Sequence, residues 1–338
     1  MRAVKELVNA LNPQKKVFIL GSAFVDMILS VHEMPHAGAD IEGKFKKTVV
    51  GGCSFNVADV LWKLGLPFDS YMPVGEGQFA DLVEQTLTRR NLPVYREQGA
   101  GDNGWCLSIA DHTGERTFIS MFGLERQMKA QWFDRFNLSQ YDYIYVSGYQ
   151  AEGKNGEVLL SVLNRKADNA LIVFDPGPRV TEMGQERLKA FEDLGCLYTV
   201  NCSEAMWMTN THNATDAAIA LSVRSGNPSV VTDGRNGAVY TEKKPSGWTA
   251  KRVPGFKVNL VDTIGSGDAH TGGLLAGLMC GLTMAEATLI ANAVAAHVTA
   301  SEGAATAPTR SELEHYSLYS LHLSWLTTIT FHKSKPTA

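Results

Sequence analysis

The chain alternates between short, nearly continuous apolar runs and longer stretches in which apolar residues recur every third or fourth position. The first pattern is that of strands buried on both faces, the second that of helices covering them. Lys16-Val17-Phe18-Ile19-Leu20-Gly21-Ser22 is one such run, ending in small residues. Gly51-Gly52-Cys53-Ser54-Phe55-Asn56 opens a helix whose stripe is Val57, Val60, Leu61 and Leu64, with Gly65 as its stop. A strand-like piece follows at 70–75 and a helix at about 78–91. From about 140 onward, strands at 143–147, 171–175, 197–201, 229–232 and 238–241 alternate with helices at 154–166, 183–193, 203–209 and 213–225. Helices at 268–280 and 284–301 close the pattern. This alternation predicts an α/β fold with a doubly wound, mostly parallel sheet. Ligands of such sheets bind beyond the carboxyl ends of the strands, where Asp26, Asp175, Asn201 and Thr232 fall.

Two segments break the rhythm. Residues 40–50 are polar and alternate loosely with Ile41, Phe45 and Val49. Residues 104–110 and 115–121, joined by Asp111-His112-Thr113-Gly114, read as a hairpin. Segments 32–50 and 101–122 are therefore expected to form a small β-sheet lid, inserted in one domain spanning 16–315. Residues 1–15 suggest a short amphipathic helix ending near Asn12-Pro13 and read as an appendage. The tail, 316–338, carries Leu318, Leu321, Leu323, Trp325, Leu326, Ile329 and Phe331, unusually apolar for a terminus. It suits packing on the domain or on a partner chain, and its role stays unassigned.

Composition narrows the function. A net charge of −4 over 338 residues points away from nucleic acid and anionic membranes as partners. Five scattered cysteines, without metal-ligand spacing, read as reduced thiols. The first residues lack a signal-peptide core and no run reaches membrane-spanning length, so the expectation is a cytoplasmic protein working on a small molecule.

The strongest chemical signal is Val261-Asp262-Thr263-Ile264-Gly265-Ser266-Gly267-Asp268. An apolar lead-in, a glycine-rich turn and a helix start leave backbone N–H groups pointing outward, which favours an anion. Asp268 stands where it could take a proton from a hydroxyl attacking that anion. As a simple alternative, Asp268 caps a helix at a strand-to-helix turn.

Asp262-Thr263-Ile264-Gly265-Ser266-Gly267-Asp268 resembles the C-terminal signature of the ribokinase-like (PfkB) carbohydrate kinases. Gly51-Gly52-Cys53-Ser54-Phe55-Asn56 resembles their N-terminal signature, and Val253-Pro254-Gly255-Phe256-Lys257-Val258 is similar to the family's lead-in. The resemblance spans roughly 16–315 and implies an ATP-dependent kinase acting on a primary hydroxyl of a sugar or sugar-like compound. It implies that Asp268 is the base and that Gly265, Ser266 and Gly267 form the anion hole. Asp26, Gly51, Gly52 and Asn56 would hold the substrate. Phe24 and Cys53 stand where ribokinases usually have Asn and Lys, which points away from ribose itself.

The nucleotide side follows from the same resemblance. Asn201 would lie near the phosphates, and Glu204 would organise the water shell of Mg2+; on the residues alone, Asn201-Cys202-Ser203-Glu204 equally reads as a capped helix start. Thr232-Asp233-Gly234-Arg235-Asn236-Gly237 is a hairpin turn by composition and, by resemblance, a phosphate-lining loop using Thr232, Gly234 and Gly237. Asn292 would sit beside adenine. Asp262, Ile264, Val298, Ser301 and Gly303 match positions that bind a monovalent cation, K+, in some members, whereas Ala307 lacks the side-chain oxygen often found there. His270 reads as structural, and Asp175-Pro176-Gly177-Pro178-Arg179 as a stiff turn.

Rival readings remain at this level. Phe24, Trp105 and Phe118 offer apolar surface for a base, which suits a nucleoside kinase of the same family. A catalytically silent binding protein is a second rival, opposed by the intact Asp268. A dinucleotide-binding oxidoreductase is disfavoured because no Gly-x-Gly-x-x-Gly follows the first strand. Lids of this family often pair between subunits, so a homodimer through the lid is expected.

Overall fold

Strands that are apolar on both faces must be covered on both, and here they pair into one large sheet between two helical layers. A computed structural model describes residues 2–113 and 115–316 of the chain. In order, it begins α1 (Val4–Asn9), β1 (Val17–Leu20), β2 (Phe24–Val31), β3 (Gly43–Gly51), α2 (Cys53–Lys63), β4 (Asp69–Tyr71), β5 (Pro73–Val74) and α3 (Gln78–Arg89). There follow β6 (Tyr95–Arg96), β7 (Trp105–Ala110), β8 (Arg116–Met121), β9 (Tyr143–Ser147), α4 (Gly153–Leu163), β10 (Leu171–Asp175), α5 (Val180–Met183) and α6 (Gln185–Asp193). The remainder is β11 (Cys196–Asn201), α7 (Cys202–Thr209), α8 (Ala214–Ser225), β12 (Ser229–Thr232), β13 (Ala238–Lys244), β14 (Gly247–Val253), α9 (Ser266–Met279), α10 (Met284–Thr299) and α11 (Arg310–Glu314).

The large sheet has the order β14-β13-β12-β11-β10-β9-β1-β4. It is parallel from β4 to β12, and β13 and β14 add an antiparallel edge. Alternate residues feed separate cores. Val17, Ile19, Tyr145 and Val173 pack with α1, α2, α9 and α10, whereas Phe18, Leu20, Ile144 and Phe174 pack with α4, α6 and α8. The small residues of α9 are contact points: a Cβ on Gly273 would stand 2.7 Å from the Ala291 Cα, and one on Gly277 would stand 2.6 Å from the Ala287 Cα. That close crossing holds the N-terminus of α9 rigidly over the sheet.

The small sheet has the order β3-β2-β7-β8 and differs from the expected lid in one strand. Residues 24–31 belong to it as β2, while most of 32–42 is irregular. Only three residues separate Phe24–Val31 from β1, and its two polar residues, Asp26 and Ser30, are too few to mark a strand period, so the sequence assigns it no strand. The expected helix at 183–193 is two pieces, α5 and α6, divided by Gly184 at φ +74°. β14 was not anticipated.

Residues 1–15 are not an appendage. Val4, Leu7, Val8 and Leu11 are buried in the main core against α10 and α11, and Arg310 donates to the carbonyls of Leu11 and Leu64. The expected short helix is present as α1, but so short a helix does not show from its pattern what its apolar face packs against. The apolar tail from Ser317 lies outside the described residues. No helix among the described residues is long and apolar enough to cross a membrane.

Candidate active site

Gly265 caps α9 in the left-handed conformation (φ +71°), and a Cβ there would stand 2.7 Å from the Ala304 Cβ. Among the described residues, the first-turn N–H groups of Gly267 and Asp268 meet no carbonyl, and a Cβ on Gly267 would meet only open space. Asp268 lies in that first turn, where its carboxylate accepts a hydrogen bond from Asn56 Nδ2 (2.7 Å). Asn56 comes from α2, which opens at Gly52 with φ +95°. The two glycine-rich turns, far apart in sequence, thus meet through a carboxylate and an amide. Asn56 Oδ1 is buried without a partner, an acceptor aimed at nothing in the protein.

Asp26 enters from β2. A Cβ on Gly51 would stand 2.5 Å from Asp26 Oδ2, so only glycine lets that carboxylate lie against the end of β3. Burial, and secondarily the Asp268 charge, push the Asp26 carboxyl up to about 7. Burial also raises Asp268, against the lowering effect of the Asn56 and Cys53 hydrogen bonds. Asp175, at the carboxyl end of β10, is raised by burial and then by Glu204 and Asp268, so it links the Asp268 pocket to the end of β11.

One hollow is lined by Asp26, Gly52, Cys53, Asn56, Ile264, Gly265 and Asp268, with Phe24, Phe118, Phe122 and Tyr149 as an aromatic wall. Phe24 and Phe122 have ring centroids 5.8 Å apart. An adjoining hollow contains Gly51, Ile264, Gly303 and Arg116. Trp105, expected to offer surface to a ligand, instead stacks on Phe79 and packs against the core. Strand alternation decides this: Cys106 and Ser108 face the hollows, so Trp105 faces away. Phe122, Tyr149 and Arg116 were missed by sequence reasoning; for Arg116 the same alternation along β8 was the available signal.

The residues expected on the nucleotide side gather separately, at the carboxyl ends of β11 and β12, where Asn201 pairs in register with Thr232. Asn201 and Glu204 form a reciprocal cap: Asn201 Oδ1 accepts from the Glu204 N–H (2.9 Å) and Glu204 Oε2 from the Asn201 N–H (3.1 Å). Glu204 Oε1 is left over for water, the contact that a hydrated Mg2+ requires. Gly234 (φ +52°) and Gly237 (φ +83°) shape the turn to β13, and Gly237 packs against the backbone of Val253 and Gly255. No group of three metal-binding side chains exists among the described residues.

Asn292 does not present free donors to a base. Its Nδ2 donates to the carbonyls of Val253 (3.1 Å) and Pro254 (3.0 Å), and its Oδ1 is 3.1 Å from His270 Nε2. It clamps the 253–255 backbone beneath the 232–237 turn. His270 is buried, and burial pushes it down to about 4, a neutral structural histidine.

At the place expected for a monovalent cation, a positively charged side chain already stands against Asp262. Asp262 Oδ1 accepts from the Ile264 N–H (3.0 Å), and its Oδ2 accepts from the Gly303 N–H (3.0 Å) and lies 3.0 Å from Arg116 Nη1. The Gly303 carbonyl accepts from Thr306 and the Val298 carbonyl from the Ser301 N–H, whereas the Ile264 and Ser301 carbonyls accept no hydrogen bond among the described residues, so it is the Arg116 guanidinium that opposes a cation there. A second positive charge beside Asp262 would meet the repulsion of the guanidinium already paired with it.

A family model for the pfkB family carbohydrate kinases matches residues 14–310. A protein of Escherichia coli (strain K12) named uncharacterized sugar kinase YegV is 34% identical over 91% of this chain and 95% of its own length. A probable fructokinase of Arabidopsis thaliana is 26% identical over 88% of this chain and 90% of its own. The ribokinase structure from Thermotoga maritima superposes with a TM-score of 0.77 at 21% identity, covering 89% of this chain and 98% of that one.

Proposed function

From the premise that the chain belongs to the pfkB family of carbohydrate kinases, we propose that it transfers the terminal phosphoryl group of ATP to a primary hydroxyl of a sugar or sugar-like substrate, with Asp268 as the base. The observation that carries this reading is the 2.7 Å hydrogen bond from Asn56 to Asp268. It joins the substrate-side turn to the anion-side turn and orients the carboxylate between them.

Asp268 accepts the proton of the attacking hydroxyl, and burial makes its carboxylate a better base than a surface aspartate. The N–H groups at the start of α9, through the turn Gly265, Ser266 and Gly267, face the charge on the transferring phosphoryl oxygens. Asp26 and the unpartnered Asn56 Oδ1 hold other hydroxyls, with Gly51 and Gly52 giving the substrate close backbone approach. The nucleotide phosphates lie along Asn201, Thr232, Gly234 and Gly237. Mg2+, when bound through water near Glu204, neutralises phosphate charge. The small sheet covers the substrate and keeps competing water out.

The aromatic wall of Phe24, Phe118 and Phe122 favours a second reading, a nucleoside substrate, whereas the fructokinase named among the relatives favours a free sugar. Measuring ATP consumption against free pentoses, hexoses, ketoses and nucleosides decides between them. Turnover of at least one free sugar is expected; turnover of nucleosides alone replaces the sugar assignment, and no turnover with any removes the kinase reading.

The same reading includes a homodimer through the small sheet. The face turned away from the hollows carries Met27, Leu29, Phe45, Leu107 and Ile119, of which Phe45 and Ile119 are 59% and 49% exposed. A second copy would cover it.

A further inference from the structure

Arg116 opens β8 on the same face as Phe118 and Ser120, so strand alternation turns it toward the hollow under the small sheet. Its guanidinium reaches out of that sheet to Asp262, the residue that begins the turn into α9. The Asp262 side chain is only 3% exposed, and a buried carboxylate needs charge compensation. Arg116 Nη1 lies 3.0 Å from Asp262 Oδ2 yet makes no aligned hydrogen bond. The contact is charge upon charge, the service an alkali cation would otherwise render.

What Asp262 holds gives the contact its consequence. Its two oxygens fix the N–H groups of Ile264 and Gly303, and Ala304, next to Gly303, is the surface on which Gly265 is seated. A second cation from the small sheet stands beside this turn, with Lys47 Nζ 3.7 Å from Glu302.

We propose that Arg116 is a positioning residue that neutralises Asp262 from the small sheet, in the place where the family resemblance implies a monovalent cation, so that phosphoryl transfer here runs without one. This rests on the kinase reading above. It ties the seating of the small sheet to the shape of the anion-binding turn, since the charge arrives with the sheet.

Turnover of the wild-type enzyme in potassium chloride and in tetramethylammonium chloride at equal ionic strength is the first test, and it needs no variant. The two rates are expected to agree within about threefold, and activation by K+ beyond that overturns the proposal. Arg116→Ala is expected to lower kcat at least about tenfold with substrate KM little changed, while K+ or guanidinium added in solution restores part of the loss and Arg116→Lys retains most of the rate. An unchanged kcat in Arg116→Ala, or a loss that no added cation restores, overturns it. Calorimetric ATP binding in both salts separates the two failures: absence of binding in either salt removes the kinase reading, and binding or turnover only with K+ removes this one.

Discussion

Asp268 and Asp26 are both carboxylates in one hollow, yet their surroundings assign them different work. Asp268 is oriented by Asn56 at the head of a helix and stands next to unpartnered N–H groups. Asp268→Asn is expected to lower kcat by about 10²–10⁴-fold while ATP affinity persists, measured by steady-state kinetics and calorimetry. Asp26 has its carboxyl raised to about 7 by burial and by Asp268. Below about pH 4 it is protonated in folded and unfolded chains alike. As pH rises from there toward 7, the unfolded chain ionises first, so this residue's contribution to stability falls by roughly 1.4 kcal/mol per pH unit. Urea denaturation of the apoprotein between pH 5 and 8 should show that decline, and Asp26→Asn should flatten it; equal slopes in the two proteins would refute the assignment.

At the scale of elements, two cases show where pattern ends and packing begins. The small-residue run of α9 is visible in sequence, but its reason is the crossing with α10, where Gly277 meets Ala287. Gly277→Val should therefore destabilise the fold by about 1–3 kcal/mol or more through overpacking, read from the urea midpoint. α1 is the opposite case, a helix legible as a short amphipathic stretch whose burial was not, and it carries Leu7 with no exposed surface. Leu7→Ala should cost about 2–5 kcal/mol, and a cost below 0.5 would return residues 1–15 to the status of an appendage. β2 was hidden for a third reason: it follows β1 after three residues, and its two polar residues, Asp26 and Ser30, are too few to mark a period.

For the whole molecule, the small sheet is the element that reaches from the hollow to the turn into α9. Its inner face bears Asp26 and Arg116, and its outer face bears Phe45 and Ile119. If that outer face is covered by a second copy, light scattering should report a dimer, and Phe45→Glu with Ile119→Glu should shift it toward monomer. A wild-type monomer at tens of micromolar would exclude the dimer.

Local chemistry is what the sequence determined. The alternation of apolar runs and helical stripes specified a doubly wound sheet, and the turns Gly51-Gly52 and Gly265-Ser266-Gly267-Asp268 were recognisable by their glycines, of which Gly52 and Gly265 hold positive φ. Asn201 with Glu204 was legible as a helix cap because its hydrogen bonds run between residues three apart. Contacts between distant segments were decided only by the tertiary structure. Asn56 reaches Asp268, Arg116 reaches Asp262, Asn292 is spent on the 253–254 backbone, and Trp105 turns inward. Each depends on which face of a strand or helix meets which neighbour. That choice is made by the packing of the whole chain, not by any stretch of it read alone.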